Sequence, residues 1–358
     1  MDLFEDLPEP SDSKIKEIPK KVSSVPSDDK IHSLFNDLPS PSNMNSNAAM
    51  KRKADDTPNI SKPKKSLTGV YGLQGFFAER KGEREEMQDS HILFDTFHKN
   101  IVHLDSSICR VALYGVFDGH GGARASRHVA DRFPDSLASS FPKGNVEQVE
   151  KEIKKCLLET FKKTDEEFLK EAAKSKPTWK DGTTAIIVLQ INNTLYISNL
   201  GDSKAILCRF NEESKKYMAL NLSKDHSPTD YEERMRIQKA GGYVRDGRVM
   251  GVLEVSRSFG DGQFKTSGVI CLPDVRRCQL THNDSFILLA CDGLWKVFTS
   301  QEVISIVMKT LEDSNIQATD LKRAEEARYE TACNRLVNEA VRKLSGDNVT
   351  VVIVAIQK

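Results

Sequence analysis

Four aspartates stand at the ends of apolar runs, each beside a glycine: Asp118 in Phe117-Asp-Gly-His120, Asp202 in Gly201-Asp-Ser203, Asp292 in Cys291-Asp-Gly293 and Asp347 in Gly346-Asp-Asn348. Carboxylates delivered to one place by separate strands would repel one another and be costly to desolvate without a counter-ion. A hard divalent cation removes that conflict. An oxygen-rich set with no cysteine pair and no paired histidines points to magnesium or manganese. Two such ions, roughly 3.5 to 4 Å apart, can share a carboxylate and turn a water into a nucleophile near neutral pH.

The segment around Asp118 carries two other readings. Asp118-Gly-His-Gly-Gly122 could be a plain turn, since glycine-rich pentapeptides usually are. It could also be a dinucleotide loop between a strand and a helix. That reading fails on detail, because Arg124 stands where the fingerprint requires glycine or alanine, and no P-loop occurs elsewhere. Repetition of the strand-end aspartate decides against the turn.

The elements that must position these residues are legible as apolar patterns. Val111 to Phe117 is a short β-rich run suited to a strand covered on both faces. Ala125, Val129 and Phe133, four apart, predict a helix after Gly122. A long amphipathic helix is expected over Asn145 to Lys174, with its Lys and Glu residues on a solvated face and no chemistry assigned to it. Ile186 to Ile191 and Thr194 to Leu200 flank Asn192-Asn193 and predict a hairpin ending at Asp202. Phe286 to Cys291 repeats the strand-then-Asp-Gly pattern. Two helices, about 300 to 311 and 325 to 344, precede a closing strand rich in Val and Ile that begins at Asp347. Residues 223–265, richer in charge and glycine, are expected to leave the core as a flap beside the site.

Composition sets wider bounds. With 52 basic and 52 acidic residues the formal charge is zero, so no nucleic-acid or membrane partner is implied. No apolar run approaches the ~20 residues that span a bilayer. The acidic start lacks the pattern of a signal peptide. Seven scattered cysteines without a Cys-x-x-Cys pair argue against a disulfide framework or structural zinc and fit a reducing compartment.

Residues 1–68 are polar, rich in Ser, Pro and Lys, and too poor in large apolar groups to offset ordering entropy, so a disordered tail is expected before a catalytic domain at 69–358. One octapeptide occurs there twice, from Leu3 to Pro10 and from Leu34 to Pro41, in the form LFxDLPxP, as a duplicated docking motif would. Lys51-Arg-Lys53 and Lys62-Pro-Lys-Lys65 have the spacing of a bipartite nuclear import signal. A cytoplasmic protein with a nuclear fraction is the expectation.

Seven motifs in order resemble the metal-dependent type 2C serine/threonine protein phosphatases: Arg84-x-x-Met-x-Asp89, Val116-Phe-Asp118-Gly-His-Gly-Gly122, Asp181-Gly-Thr-Thr-Ala185, Gly201-Asp-Ser203, Val255-Ser-Arg-Ser-Phe-Gly-Asp261, Leu289-Ala-Cys-Asp292-Gly293 and Gly346-Asp-Asn348. The tail motif resembles that of members associated with integrin-linked kinase. The resemblance implies an α+β fold, a four-layer α-β-β-α sandwich of two antiparallel sheets flanked by helices. It also implies a monomer that hydrolyses phosphoserine and phosphothreonine in phosphorylated protein substrates, with integrin-linked kinase or its pathway as a partner. The rival reading is a catalytically weak phosphatase-like adaptor acting through its tail.

By the family pattern, Asp118 would bridge two Mg²⁺ or Mn²⁺ ions, the Gly119 carbonyl would bind one, and Asp292 with Asp347 the other. Asp202 would serve a weak third ion. Arg84 would fork onto the substrate phosphate and His120 would protonate the leaving alkoxide, while Asp89, Gln88 and Asn348 would support the site from behind. The chain departs from the pattern at three places. Gln88 stands where many members carry Glu, Lys204 replaces the usual Arg, and Lys296 stands where some members have another Asp, which implies weaker third-metal binding.

Overall fold

The computed structural model describes residues 69–318 and 322–357. The tail, its repeated motif and its basic clusters lie outside the described residues. Two five-stranded antiparallel sheets form the centre. One runs in the order Gly72–Arg80, Val349–Gln357, Asp284–Ala290, Lys204–Asn211, Lys216–Asn221, and the other Asp274–Gln279, Thr194–Leu200, Ala185–Ile191, Val111–Phe117, Ser90–Phe94.

Alternation along the strands sorts side chains into three apolar layers, because successive residues point to opposite faces. Ala112, Tyr114 and Val116 meet Ile287, Leu289, Val352 and Val354 between the sheets. Leu113 and Phe117, with Ile187 and Leu189, face the other way, toward Val129, Phe133, Ile153 and Phe161 of helices Arg124–Ser140 and Val146–Lys174. Phe286, Leu288, Val351 and Ile353 face Val303, Val307, Leu336 and Val337 of helices Ser300–Leu311 and Ala324–Arg342. The result is the expected four-layer sandwich. Continuous apolar strands arise here in antiparallel sheets because helices cover one face of each and the partner sheet covers the other.

The long helix starts where a capping box forms: Asn145 accepts from the Gln148 amide and Gln148 returns a bond to the Asn145 amide, both at 3.0 Å. Its Lys and Glu residues form the expected exposed face, but one acidic residue lies outside that face. Asp165 is buried, accepting from the Gly260 amide at 2.7 Å and pairing with Lys265 at 2.9 Å. Periodicity assigns a face to each residue, but it cannot foresee a neighbouring segment that covers the edge of that face.

Phe161 of the same helix stacks on Phe259 at 5.0 Å and meets Phe133 edge-on at 5.1 Å. Phe259–Gly260 pairs with Gly182–Thr183, which pairs with Gly119–His120, so one aromatic contact supports a three-stranded patch carrying the Asp118 turn. Phe161→Ala should lower stability by about 3–5 kcal/mol, against less than about 1.5 kcal/mol for a volume-conserving swap such as Phe161→Met. Urea denaturation of both variants checks the difference; equal small losses would mean that the ring is not a packed support.

Candidate active site

The aspartates converge because of strand direction. Val111–Phe117 and Thr194–Leu200 both run antiparallel to Ala185–Ile191 and therefore end on the same side, delivering Asp118 and Asp202. In the other sheet Ala290 pairs with Val351, so the end of Asp284–Ala290 and the start of Val349–Gln357 bring Asp292 and Asp347 to one edge. Carboxylate oxygens of Asp118, Asp202 and Asp292 lie within 4.8 Å of one another, and Asp118 also groups with Asp89 and Cys291. All the sequence-chosen ligands, with Arg84, Gln88, His120 and Asn348, line one cleft of about 520 Å³; Asp89 is buried beneath it.

Crowding shows in the proton affinities. Burial, then the charges of Asp89, Asp292, Asp202 and Asp347, push the Asp118 carboxyl well above its usual range. Burial first, and neighbouring carboxylates after it, raise Asp89 and Asp202 to about 7 each. Asp89 retains one buried oxygen without a hydrogen-bond partner, while the other accepts from the Thr350 hydroxyl at 2.7 Å. Cations relieve the other side: Arg84 forks onto Asp347 with both contacts at 3.0 Å, and the Lys296 ammonium lies 2.6 Å from Asp292 and 2.9 Å from Asp347. Partial burial opposes ionisation of Asp347, but the Lys296 hydrogen bond and charge, with Arg84, hold it below the usual range. Three carboxylates with oxygens within 4.8 Å of one another, and Asp89, which keeps an unpartnered buried oxygen, close to Asp118, form a donor set that fits hard divalent cations.

Backbone bonds hold the turn. The Asp118 carbonyl accepts from the Thr184 amide and the Thr183 hydroxyl, each at 2.9 Å, which gives the Asp181-Gly-Thr-Thr motif its purpose. Asp181 also binds the Arg124 side chain at 2.7 and 2.8 Å, anchoring a helix whose N-cap residue, Ala123, offers no side-chain cap. Gly119 is obligatory because a Cβ there would strike the Gln88 carbonyl. Gly122, at φ +133°, lies against the Asp181 carboxylate.

His120 Nε2 lies 2.7 Å from Asp261 Oδ2, and Ser258 donates to the same oxygen at 2.6 Å. Burial opposes the imidazolium, but the Asp261 charge and hydrogen bond prevail and raise the His120 pKa. Asp261 closes the Val255 to Asp261 motif, but its partnership with His120 is not legible there; the one signal is an acid immediately after Phe-Gly in a charged segment. Nor does the sequence mark out Glu233, buried in helix Tyr231–Lys239, which binds Arg257 at 2.6 Å and Arg236 at 2.8 Å. That helix packs with a hairpin around a separate apolar cluster including Ile237, Val249 and Phe264, and Arg248, Val252 and Leu253 of this segment line the cleft.

Comparison with known proteins agrees with the geometry. The Protein phosphatase 2C family model matches residues 73–349. The chain belongs to the protein phosphatase 2C family. It is a serine/threonine protein phosphatase. The human integrin-linked kinase-associated serine/threonine phosphatase 2C is 52% identical over 396 aligned positions covering 99% of this chain and 100% of that one. Among solved structures, a serine-threonine phosphatase 2C from Toxoplasma gondii has a TM-score of 0.65 at 22% identity, covering 81% of this chain and 96% of that one. A C. elegans sex determining protein has the same TM-score at 24% identity, covering 80% of this chain and 65% of that one; these two matches bear on the fold. In this phosphatase 2C chain, the acidic residues cluster as a metal-dependent hydrolase requires.

Asn348 has a distinct place in the phosphatase site. Its side chain accepts from the Gln88 amide at 2.8 Å and donates to the Lys81 and Glu86 carbonyls at 2.8 and 3.0 Å, tying down the loop that presents Arg84. Asn348→Ala should cost about 1–3 kcal/mol and speed hydrogen exchange at the Gln88 amide. Asn348→Asp, which keeps the shape but cannot donate, should lose nearly as much; protection unchanged in both would assign the loop's order to other contacts.

Proposed function

We propose that Asp118, Asp292 and Asp347, with the Gly119 carbonyl, hold two divalent cations, magnesium or manganese, and that a third ion binds weakly at Asp202 because Lys296 stands nearby. The observation that carries this reading is the gathering of Asp118, Asp202 and Asp292 carboxylate oxygens within 4.8 Å of one another in a cleft lined by Arg84, His120 and Asp347. Such ions supply positive charge for the crowded carboxylates and activate a water for attack on phosphorus.

The chain's own residues do the rest. Arg84, whose guanidinium already forks onto a carboxylate, has the geometry to hold two phosphate oxygens of a phosphoserine or phosphothreonine. His120, oriented by Asp261, gives a proton to the serine or threonine oxygen as its bond to phosphorus breaks. Water supplies the new P–O bond, so the products are inorganic phosphate and the free hydroxyl. Asp89 and Asn348 support the aspartates and the Arg84 loop from behind, and Gln88 lines the cleft as a neutral side chain.

Hydrolysis of a phosphothreonine peptide should require added Mn²⁺ or Mg²⁺ and vanish in Asp118→Ala. His120→Gln should slow that reaction by about 10²- to 10⁴-fold and barely affect an aryl phosphate, whose phenolate leaves without a proton. Equal losses on both substrates would remove His120 from the role of acid, and metal-independent turnover would overturn the site.

The relative's association with integrin-linked kinase, the LFxDLPxP repeats and the basic clusters together support a regulator of kinase signalling in the cytoplasm and nucleus, with that kinase or its pathway as partner. Deleting residues 1–68 from a fluorescent fusion should abolish nuclear accumulation and co-precipitation of the kinase while leaving peptide hydrolysis intact. Retention of both properties would place them elsewhere.

A further inference from the structure

Lys296 lies four residues after Asp292, one helical turn on, so its stem rises over the same face. Its ammonium is 2.6 Å from Asp292 Oδ2 and 2.9 Å from Asp347 Oδ2, spanning carboxylates that arrive from two different strands. Arg84 covers Asp347 from its other side, with Nε 3.0 Å from Oδ1. The Lys296 side chain is 42% exposed, and its flexible four-carbon stem is free to leave without opening the core.

A divalent cation that took Asp292 and Asp347 as ligands would need lone pairs on those same oxygens, at about 2.0–2.1 Å for magnesium. Its double charge would repel an ammonium already seated on them. Two cations therefore contend for one pair of carboxylates, and one of them is tethered to the chain. Tethering matters because an intramolecular competitor acts at an effective concentration that dilution does not reduce.

We propose that Lys296 is a built-in counter-ion of the metal centre: its ammonium and a divalent cation occupy the Asp292–Asp347 pair alternately, which lowers the chain's affinity for metal and stabilises the fold when metal is scarce. This rests on the reading of Asp292 and Asp347 as metal ligands. The contribution of Lys296 is one of positioning and competition, and it is separable from turnover.

The test is Mn²⁺ binding to the full chain, followed by calorimetry and by the paramagnetic resonance of free Mn²⁺, with thermal melts in chelator alongside. Lys296→Met, which keeps the stem and loses the charge, should bind Mn²⁺ about tenfold more tightly, equivalent to about 1.4 kcal/mol. Its melting midpoint in chelator should fall below that of the wild type, and the gain on adding Mn²⁺ should be larger. Lys296→Arg, which keeps the charge, should bind Mn²⁺ like the wild type. If the Met variant does not fold, Lys296→Gln takes its place in the same comparison. An affinity unchanged on removing the charge, or an Arg variant as tight as the Met variant, would overturn the proposal. A wild-type chain that bound no Mn²⁺ would instead overturn the metal reading, and this inference with it.

Discussion

Mutual repulsion among buried carboxylates is the constraint on which this site depends. Asp118 is pushed well above its usual pKa by burial and by four neighbouring aspartates, so the arrangement survives only where cations answer it and where the backbone cannot relax away. Both conditions are met by the sheets. Each aspartate sits at a strand end, in a segment whose peptide groups are already committed to ladders or to turn bonds such as Thr184 N–H to the Asp118 carbonyl. A loop with free torsions would splay such charges apart.

That logic explains which parts were legible in the sequence. Apolar runs such as Val111–Phe117 and the Val351 to Ile356 stretch of Val349–Gln357 are buried on both faces, and their signal is strong because nothing charged or strongly polar interrupts them. The edge strands Lys216–Asn221 and Asp274–Gln279 escaped notice, since one side of each meets solvent and residues such as Lys216, Arg276 and Arg277 dilute the pattern. The aspartates themselves were legible through repetition of strand, acid and glycine. The contacts around them were not: Asp261 binds His120 and Glu233 binds Arg257 across tens to more than a hundred residues, and periodicity carries no information about such pairings, while Asn348 was reached only through the family resemblance.

Cation placement divides in the same way. Lys296 follows Asp292 by one helical turn, so its approach to that carboxylate was open to local reasoning. Its second contact, to Asp347, depends on the pairing of Asp284–Ala290 with Val349–Gln357 and could come only from the fold. Arg84 is similar, because its loop is held by Asn348 from the far end of the chain.

The helices then act as more than cover. Phe161 and Asp165, one helical turn apart, reach the same small patch: Phe161 stacks on Phe259, and Asp165 accepts from the Gly260 amide. From there the strand pairs pass through Gly182–Thr183 to Gly119–His120. Position at the Asp118–His120 turn is thus fixed by a close-packed ring contact and a buried charge-assisted hydrogen bond acting on adjacent residues. Packed interiors deform little, and ladder bonds allow only one register, so error in the helix is not averaged out before it reaches His120. The amphipathic helix, to which the sequence assigns no chemistry, is therefore part of the frame that holds His120 beside Asp261.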